Sequence, residues 1–215
     1  MSHWEIRIAL VLTLVVGGIP QAANAATPTV TETIAKIAVK GRAPKTGYTR
    51  AQFGPTWHDV DANGCDTRND ILNRDLSETV FKDSCTILAG VLVDPYSGET
   101  INFIRGVGTS SFVQIDHVVA LSNAWQTGAF KLSIDKRTAF ANDPLNLLAV
   151  KGVLNSQKSD GDAATWLPPM KSYRCAYVAR QVAVKAKYGL WLTPPEKAAI
   201  VKIIATCPKQ LLPTH

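Results

Sequence analysis

An acid and an imidazole, Asp116 and His117, sit side by side in VQIDHVVAL (Val113 to Leu121), among the β-branched residues Val113, Ile115, Val118 and Val119. Such residues suit a pleated, half-buried surface, so the segment reads as a strand. Polar and charged groups in that setting are costly unless partnered, so the rest of the chain must supply partners. DPLNLLAV (Asp143 to Val150) opens on the turn signal Asp143-Pro144 and continues as a short apolar run able to pair with the first strand. LNSQKSD (Leu154 to Asp160) follows directly, and nothing in KGVLNSQKS halts a helical turn. The predicted order is strand, long excursion, strand, helix.

These residues have complementary chemistries. Asp116 offers an anionic oxygen and Asn155 a neutral amide oxygen, ligands suited to hard divalent cations such as Mg²⁺. His117, with an ordinary pKa of about 6.5, can accept a proton from water near neutrality. Asn146 can bond backbone and hold the loop that aims His117. Successive strand residues point to opposite faces, so Asp116 and His117 share one site only at a strand end or a bulge.

With those residues in place, the chain resembles the HNH signature of ββα-metal endonucleases: Asp116-His117, Asn146 in DPLNLLAV and Asn155 in LNSQKSDGD. The surrounding text is similar to secreted HNH proteins related to the C-terminal domain of GmrSD-type restriction enzymes. That likeness extends to GYTRAQFG, CDTRNDIL, DPYSG, ATWLPP and YGLWLTPPE, nearly the whole chain beyond its leader. The resemblance implies an α+β fold, a ββα-metal core at about residues 113–160 with a small antiparallel sheet surrounded by helices. It assigns metal ligation to Asp116 and Asn155, the general base to His117 and the orienting role to Asn146, with Mg²⁺ or Mn²⁺ as cofactor and nucleic acid, DNA foremost, as substrate. Asn142 competes with Asn146 but belongs to the turn before Asp143-Pro144. The third signature position is asparagine where many HNH enzymes have histidine, which favours oxygen-loving over softer metals.

Each residue has a plainer reading. An Asp-His pair is commonly a hydrogen-bonded couple in a sheet, and an asparagine a turn or cap residue. The joint pattern, in the element order such a site needs, favours the chemical reading. From another class, the alternative is an exported basic nucleic-acid-binding protein that has the scaffold without catalysis. A serine hydrolase is disfavoured, since no G-x-S-x-G surrounds any serine.

Residues 1–25 read as a signal peptide: Arg7, the apolar Ile8 to Val16 and an Ala23-Asn24-Ala25 cleavage site. The apolar run is too short for a spanning helix, so the expectation is a secreted, extracellular protein with no membrane contact after processing, residues 26–215 forming one nuclease domain. A formal charge of +6 would draw it to a polyanion. Four cysteines in an exported chain without C-x-x-C spacing favour disulfides over zinc. Of three pairings, Cys65 with Cys85 and Cys175 with Cys207 leave the central segment unconstrained.

Asp59 to Asp70 (DVDANGCDTRND) has the ligand spacing of a calcium loop but reads as an Asx-rich turn, because FGPTW upstream cannot supply an entering helix. Cys85 to Phe103 reads as a hairpin around Asp94-Pro95-Tyr96-Ser97-Gly98, extending the sheet of the central hairpin. Arg105 and Lys158 are candidates for phosphate contact; Arg42, Lys45 and Arg50 could also touch phosphate but read more plainly as solvated loop residues. Two short helices parted near Gly128 are expected in the excursion, with Trp125, Phe130 and Phe140 in the core. Helices are expected over Ser172 to Lys187 and, from the capping box Thr193-Pro194-Pro195-Glu196, to about Thr206.

Overall fold

The computed structural model describes Met1 and residues 27–214; the leader otherwise lies outside the described residues. Strand β4 (Val113–His117) pairs antiparallel with β5 (Leu147–Lys151), and helix α5 (Gly152–Lys158) follows β5 with no intervening loop. This is the predicted strand, excursion, strand, helix. The direct strand-to-helix join requires glycine at 152, because a Cβ there would collide with the Ser111 carbonyl. Register places Asp116 opposite Leu148 and His117 opposite Leu147. One face of the hairpin, with Leu148 and Val150, packs on Tyr177, Val178 and Val182 of α6 (Arg174–Tyr188). The other, with Ile115, Leu147 and Ala149, packs on Ile71 and Leu72 of α2 (Thr67–Asp75) and on Phe103.

The hairpin around residues 94–98 forms as expected from β2 (Ile87–Val93) and β3 (Thr100–Ile104), but it does not extend the central sheet. It belongs to a separate three-stranded antiparallel sheet in the order β1-β2-β3, with β1 at Ser77–Phe81. The reason lies at the outer edge of β5. Its free amides at Ala149 and Lys151 donate to the carboxylates of Asp75 (2.7 Å) and Asp94 (3.0 Å), and its Leu147 carbonyl accepts from Arg74 (2.8 Å). Side chains thus close the edge where a strand would otherwise dock. Strand β1 escaped the sequence reading because both its faces are largely exposed, so no alternation marks it.

The excursion holds α3 (Leu121–Gln126) and α4 (Ile134–Ala141), separated by a 3-10 turn at Ala129–Lys131. Trp125 and Phe140 are buried with Phe53, whereas Phe130 is partly exposed and packs edge-on against Trp191. Helix α1 (Val30–Ile34) and α7 (Pro194–Ile204) pack with α6. The predicted capping box opens α7, with Thr193 and Glu196 exchanging hydrogen bonds. Both expected disulfides are present, Cys65–Cys85 and Cys175–Cys207, each adding about 3 kcal/mol by constraining the unfolded chain. Asp59 accepts from the amides of Asn63 and Gly64, and the Asn63 side chain reaches Asp61 and Asp70, the hydrogen bonding of an Asx turn.

Candidate active site

His117 is the last residue of β4. Asp116 and His117 face opposite sides of the hairpin, as alternation demands, yet both reach one cleft because it opens across the strand's end. The cleft has a volume of about 450 Å³; Asp116, His117 and Asn155 line it with Lys45, Tyr48, Arg50, Ser122 and Asp160. Pieces of chain far apart in sequence thus converge on one surface.

The His117 ring is held on two sides. Nε2 lies 2.8 Å from the Ala141 carbonyl oxygen, which can only accept, so this nitrogen carries the proton and Nδ1 keeps the lone pair. Trp57 stacks on the ring at 6.1 Å with planes 12° apart. Trp57 has φ of 57°, a conformation that a bulky residue adopts only when its surroundings enforce it. Burial pushes the imidazole down to about pKa 4; the Ala141 bond and Asp116 act in the opposite direction, and the positive charges of Arg50 and Lys158 add to the lowering. The ring is neutral throughout the physiological range.

Asp116 is almost wholly buried, and each oxygen has a strong partner. Tyr96 donates its hydroxyl to Oδ2 at 2.5 Å and Lys158 its ammonium to Oδ1 at 2.9 Å. The same ammonium donates to the His117 carbonyl oxygen at 2.9 Å, so one cation ties both residues to the end of α5. Burial, and then the adjacent Asp116 charge, raise the Tyr96 hydroxyl well above its usual pKa and keep it a donor.

Asn155 and Lys158 lie three residues apart on α5 and so project along one side of it. The Asn155 amide nitrogen donates to Gln114 Oε1 at 2.9 Å, leaving the amide oxygen as the atom available to a cation. Asn146, fully buried, accepts from the Val119 amide and donates to the Val119 and Phe140 carbonyls, bracing the turn after His117. Asn142 caps α4 by donating to the Thr138 carbonyl.

Two predicted residues sit elsewhere than a phosphate contact requires. Arg105 donates to the Ile87 carbonyl and to Asn69 Oδ1, both at 2.5 Å, pinning β2 to α2 outside the cleft lining. Lys158 is sealed beneath Asp116 as its counter-ion. Tyr96 and Trp57 were missed: the first lies in a turn motif that ordinarily faces solvent, the second in a Gly-Pro loop with no periodicity. Their only signal was that an Asp-His pair in a strand needs buried partners.

The donor set suits a hard cation. Among the described residues no cluster of three His, Cys, Asp or Glu side chains is placed to hold a metal, so an ion here would rest on Asp116, the Asn155 oxygen and water. Each Asp116 oxygen retains a lone pair, and both protein donors are oxygens, as Mg²⁺ or Mn²⁺ prefers.

Residues 66–203 match the family described as GmrSD restriction endonucleases, C-terminal domain. An uncharacterized secreted protein of Arthroderma benhamiae is 37% identical over 173 residues, 80% of this chain and 81% of that one. No solved structure matches at significance.

Proposed function

Since the chain belongs to the family of GmrSD restriction endonuclease C-terminal domains, which is nuclease-related, we propose that it is a secreted, metal-dependent endonuclease of HNH type that hydrolyses phosphodiester bonds in nucleic acid, DNA foremost. The observation that carries this reading is the shared cleft: a neutral imidazole, a carboxylate and a carboxamide line one opening although 39 residues separate Asp116 from Asn155.

In this reading His117 Nδ1 takes a proton from the attacking water as its oxygen approaches phosphorus. The Ala141 carbonyl and Trp57 fix the ring so that the lone pair is presented without reorganisation. An imidazole pushed down to about pKa 4 by burial is by itself a weak base. The substrate's anionic phosphate, arriving beside it, raises that basicity and stabilises the imidazolium that forms. Asp116 and Asn155 would hold a divalent cation, Mg²⁺ or Mn²⁺, which supplies charge neutralisation at a non-bridging phosphate oxygen and at the departing sugar oxygen. Lys158 and Tyr96 orient Asp116, and Asn146 braces the turn that carries His117.

Secretion is supported by the two disulfides and by the description of the Arthroderma benhamiae relative. Nicking of supercoiled plasmid by purified protein tests the whole reading. Activity with Mg²⁺ or Mn²⁺ that is lost on chelation and in His117→Ala is expected. Duplex binding without nicking would turn the account into that of a binding protein.

A further inference from the structure

The cleft contains a cationic side chain that the fold leaves unused. Most other arginines of the described structure are committed: Arg42 and Arg74 reach carboxylates, Arg105, Arg137, Arg174 and Arg180 backbone carbonyls, and Arg68 lies over the Phe103 ring away from the cleft. Arg50 has no hydrogen bond, carboxylate or ring partner among the described residues, yet it lines the cleft beside Asp116 and His117. It also lines the small pocket formed with His117, Trp57, Ala141 and Asn142, and so borders both openings that His117 lines.

The backbone beneath it is firmly held. Arg50 opens a 3-10 turn, Arg50–Phe53, whose Phe53 is buried against Trp125 and Phe140. Arg137 of α4 donates to the Gln52 carbonyl at 2.5 Å, and Gly54 lies so close to Thr138 of α4 that a Cβ there would collide with it. The last residue of the same helix, Ala141, anchors His117. One helix therefore supports both the backbone turn that carries Arg50 and the imidazole.

We propose that Arg50 is a substrate-binding residue whose guanidinium grips the non-bridging oxygens of the phosphodiester that His117 addresses. This rests on the nuclease reading above. A guanidinium offers paired N–H donors in a fork that matches two phosphate oxygens, a geometry an ammonium lacks. Being exposed and unpaired, it has no internal bond to surrender when the phosphate arrives.

Wild type, Arg50→Ala, Arg50→Lys and His117→Ala are compared in two measurements: the kcat/KM for plasmid nicking in Mg²⁺, and the salt-dependent affinity for a short duplex in the His117→Ala background with and without Arg50→Ala. Arg50→Ala is expected to lose about a hundredfold in kcat/KM with an unchanged melting temperature. Arg50→Lys, which keeps the charge but not the fork, is expected to fall between. In the binding measurement, loss of Arg50 should weaken affinity and lower the salt slope by about one. Nicking by Arg50→Ala within twofold of wild type overturns the proposal and leaves the nuclease reading standing. If wild type binds duplex without nicking it, the nuclease reading fails, and unchanged affinity and salt slope without Arg50 then overturn this proposal as well.

Discussion

Among the described residues two lysine–carboxylate pairs are buried, and they serve different ends. Lys185 and Glu196, 2.6 Å apart, join α6 to α7. Their other partners are local, the Trp191 carbonyl for the lysine and the Thr193 amide for the glutamate, so residues 185–196 form a closed network. Burial pushes Lys185 down and Glu196 up, each countered by the other's charge. Lys158 and Asp116, 2.9 Å apart, are as deeply buried but are joined across 42 residues of chain, with Tyr96 as a third partner from the turn between β2 and β3. That pair backs an open cleft beside His117 and Asn155. A buried ion pair by itself says little; what it faces decides whether it is mortar or a support for chemistry.

The sharpest test of that contrast is on the cleft side. His117→Ala should lower the nicking rate by at least about a thousandfold while leaving the cooperative urea transition in place. Lys158→Met and Lys185→Met should each cost about 3–5 kcal/mol, because each strands a buried carboxylate, with urea denaturation as the measure. They should part in activity: under conditions where both remain folded, Lys158→Met loses nicking and Lys185→Met stays within twofold of wild type. Equal losses of activity would erase the distinction.

Next in size is a pH effect confined to the cleft. The unfolded chain protonates His117 near pH 6.5, the folded one only near pH 4. The folded state therefore binds fewer protons across that window. The contribution of His117 to stability is full above about pH 6.5 and falls by about 3 kcal/mol as pH drops to 4. Urea midpoints of His117→Ala, compared with wild type between pH 7 and pH 4, should show a shallower decline. The smallest effect is expected from Tyr96→Phe, which removes one bond to Asp116 and should cost about 1.5–3 kcal/mol; it should slow nicking as well, since Asp116 is then less firmly oriented.

The same contrast shows what the sequence made legible. The Lys185–Glu196 region is local, and its capping box could be read directly from Thr193-Pro194-Pro195-Glu196. The β4, β5 and α5 order was legible because apolar runs and a Pro-marked turn announce it, and His117 at a strand end is what two adjacent site residues on alternating faces require. Lys158 was misplaced as a phosphate contact because its burial depends on the Asp116 side chain reaching it from a distant strand. Arg105 was misplaced because its partners, Ile87 and Asn69, come from packing β2 against α2. Tyr96 carried no local mark, since only tertiary structure turns that tight turn inward. The separation of the two sheets was hidden likewise, in the carboxylates of Asp75 and Asp94 that occupy the edge of β5.

In the proposed mechanism Asp116 and Asn155 would serve one cation beside His117. Electron paramagnetic resonance titration of Mn²⁺ into the His117→Ala protein with duplex bound, with and without Asn155→Ala, tests it most directly, because that substitution removes an amide oxygen and strands no buried charge. One Mn²⁺ per chain is expected, with affinity falling at least about tenfold, the loss of one ligand, when Asn155 is replaced. Mn²⁺ binding that is indifferent to Asn155 would contradict the account.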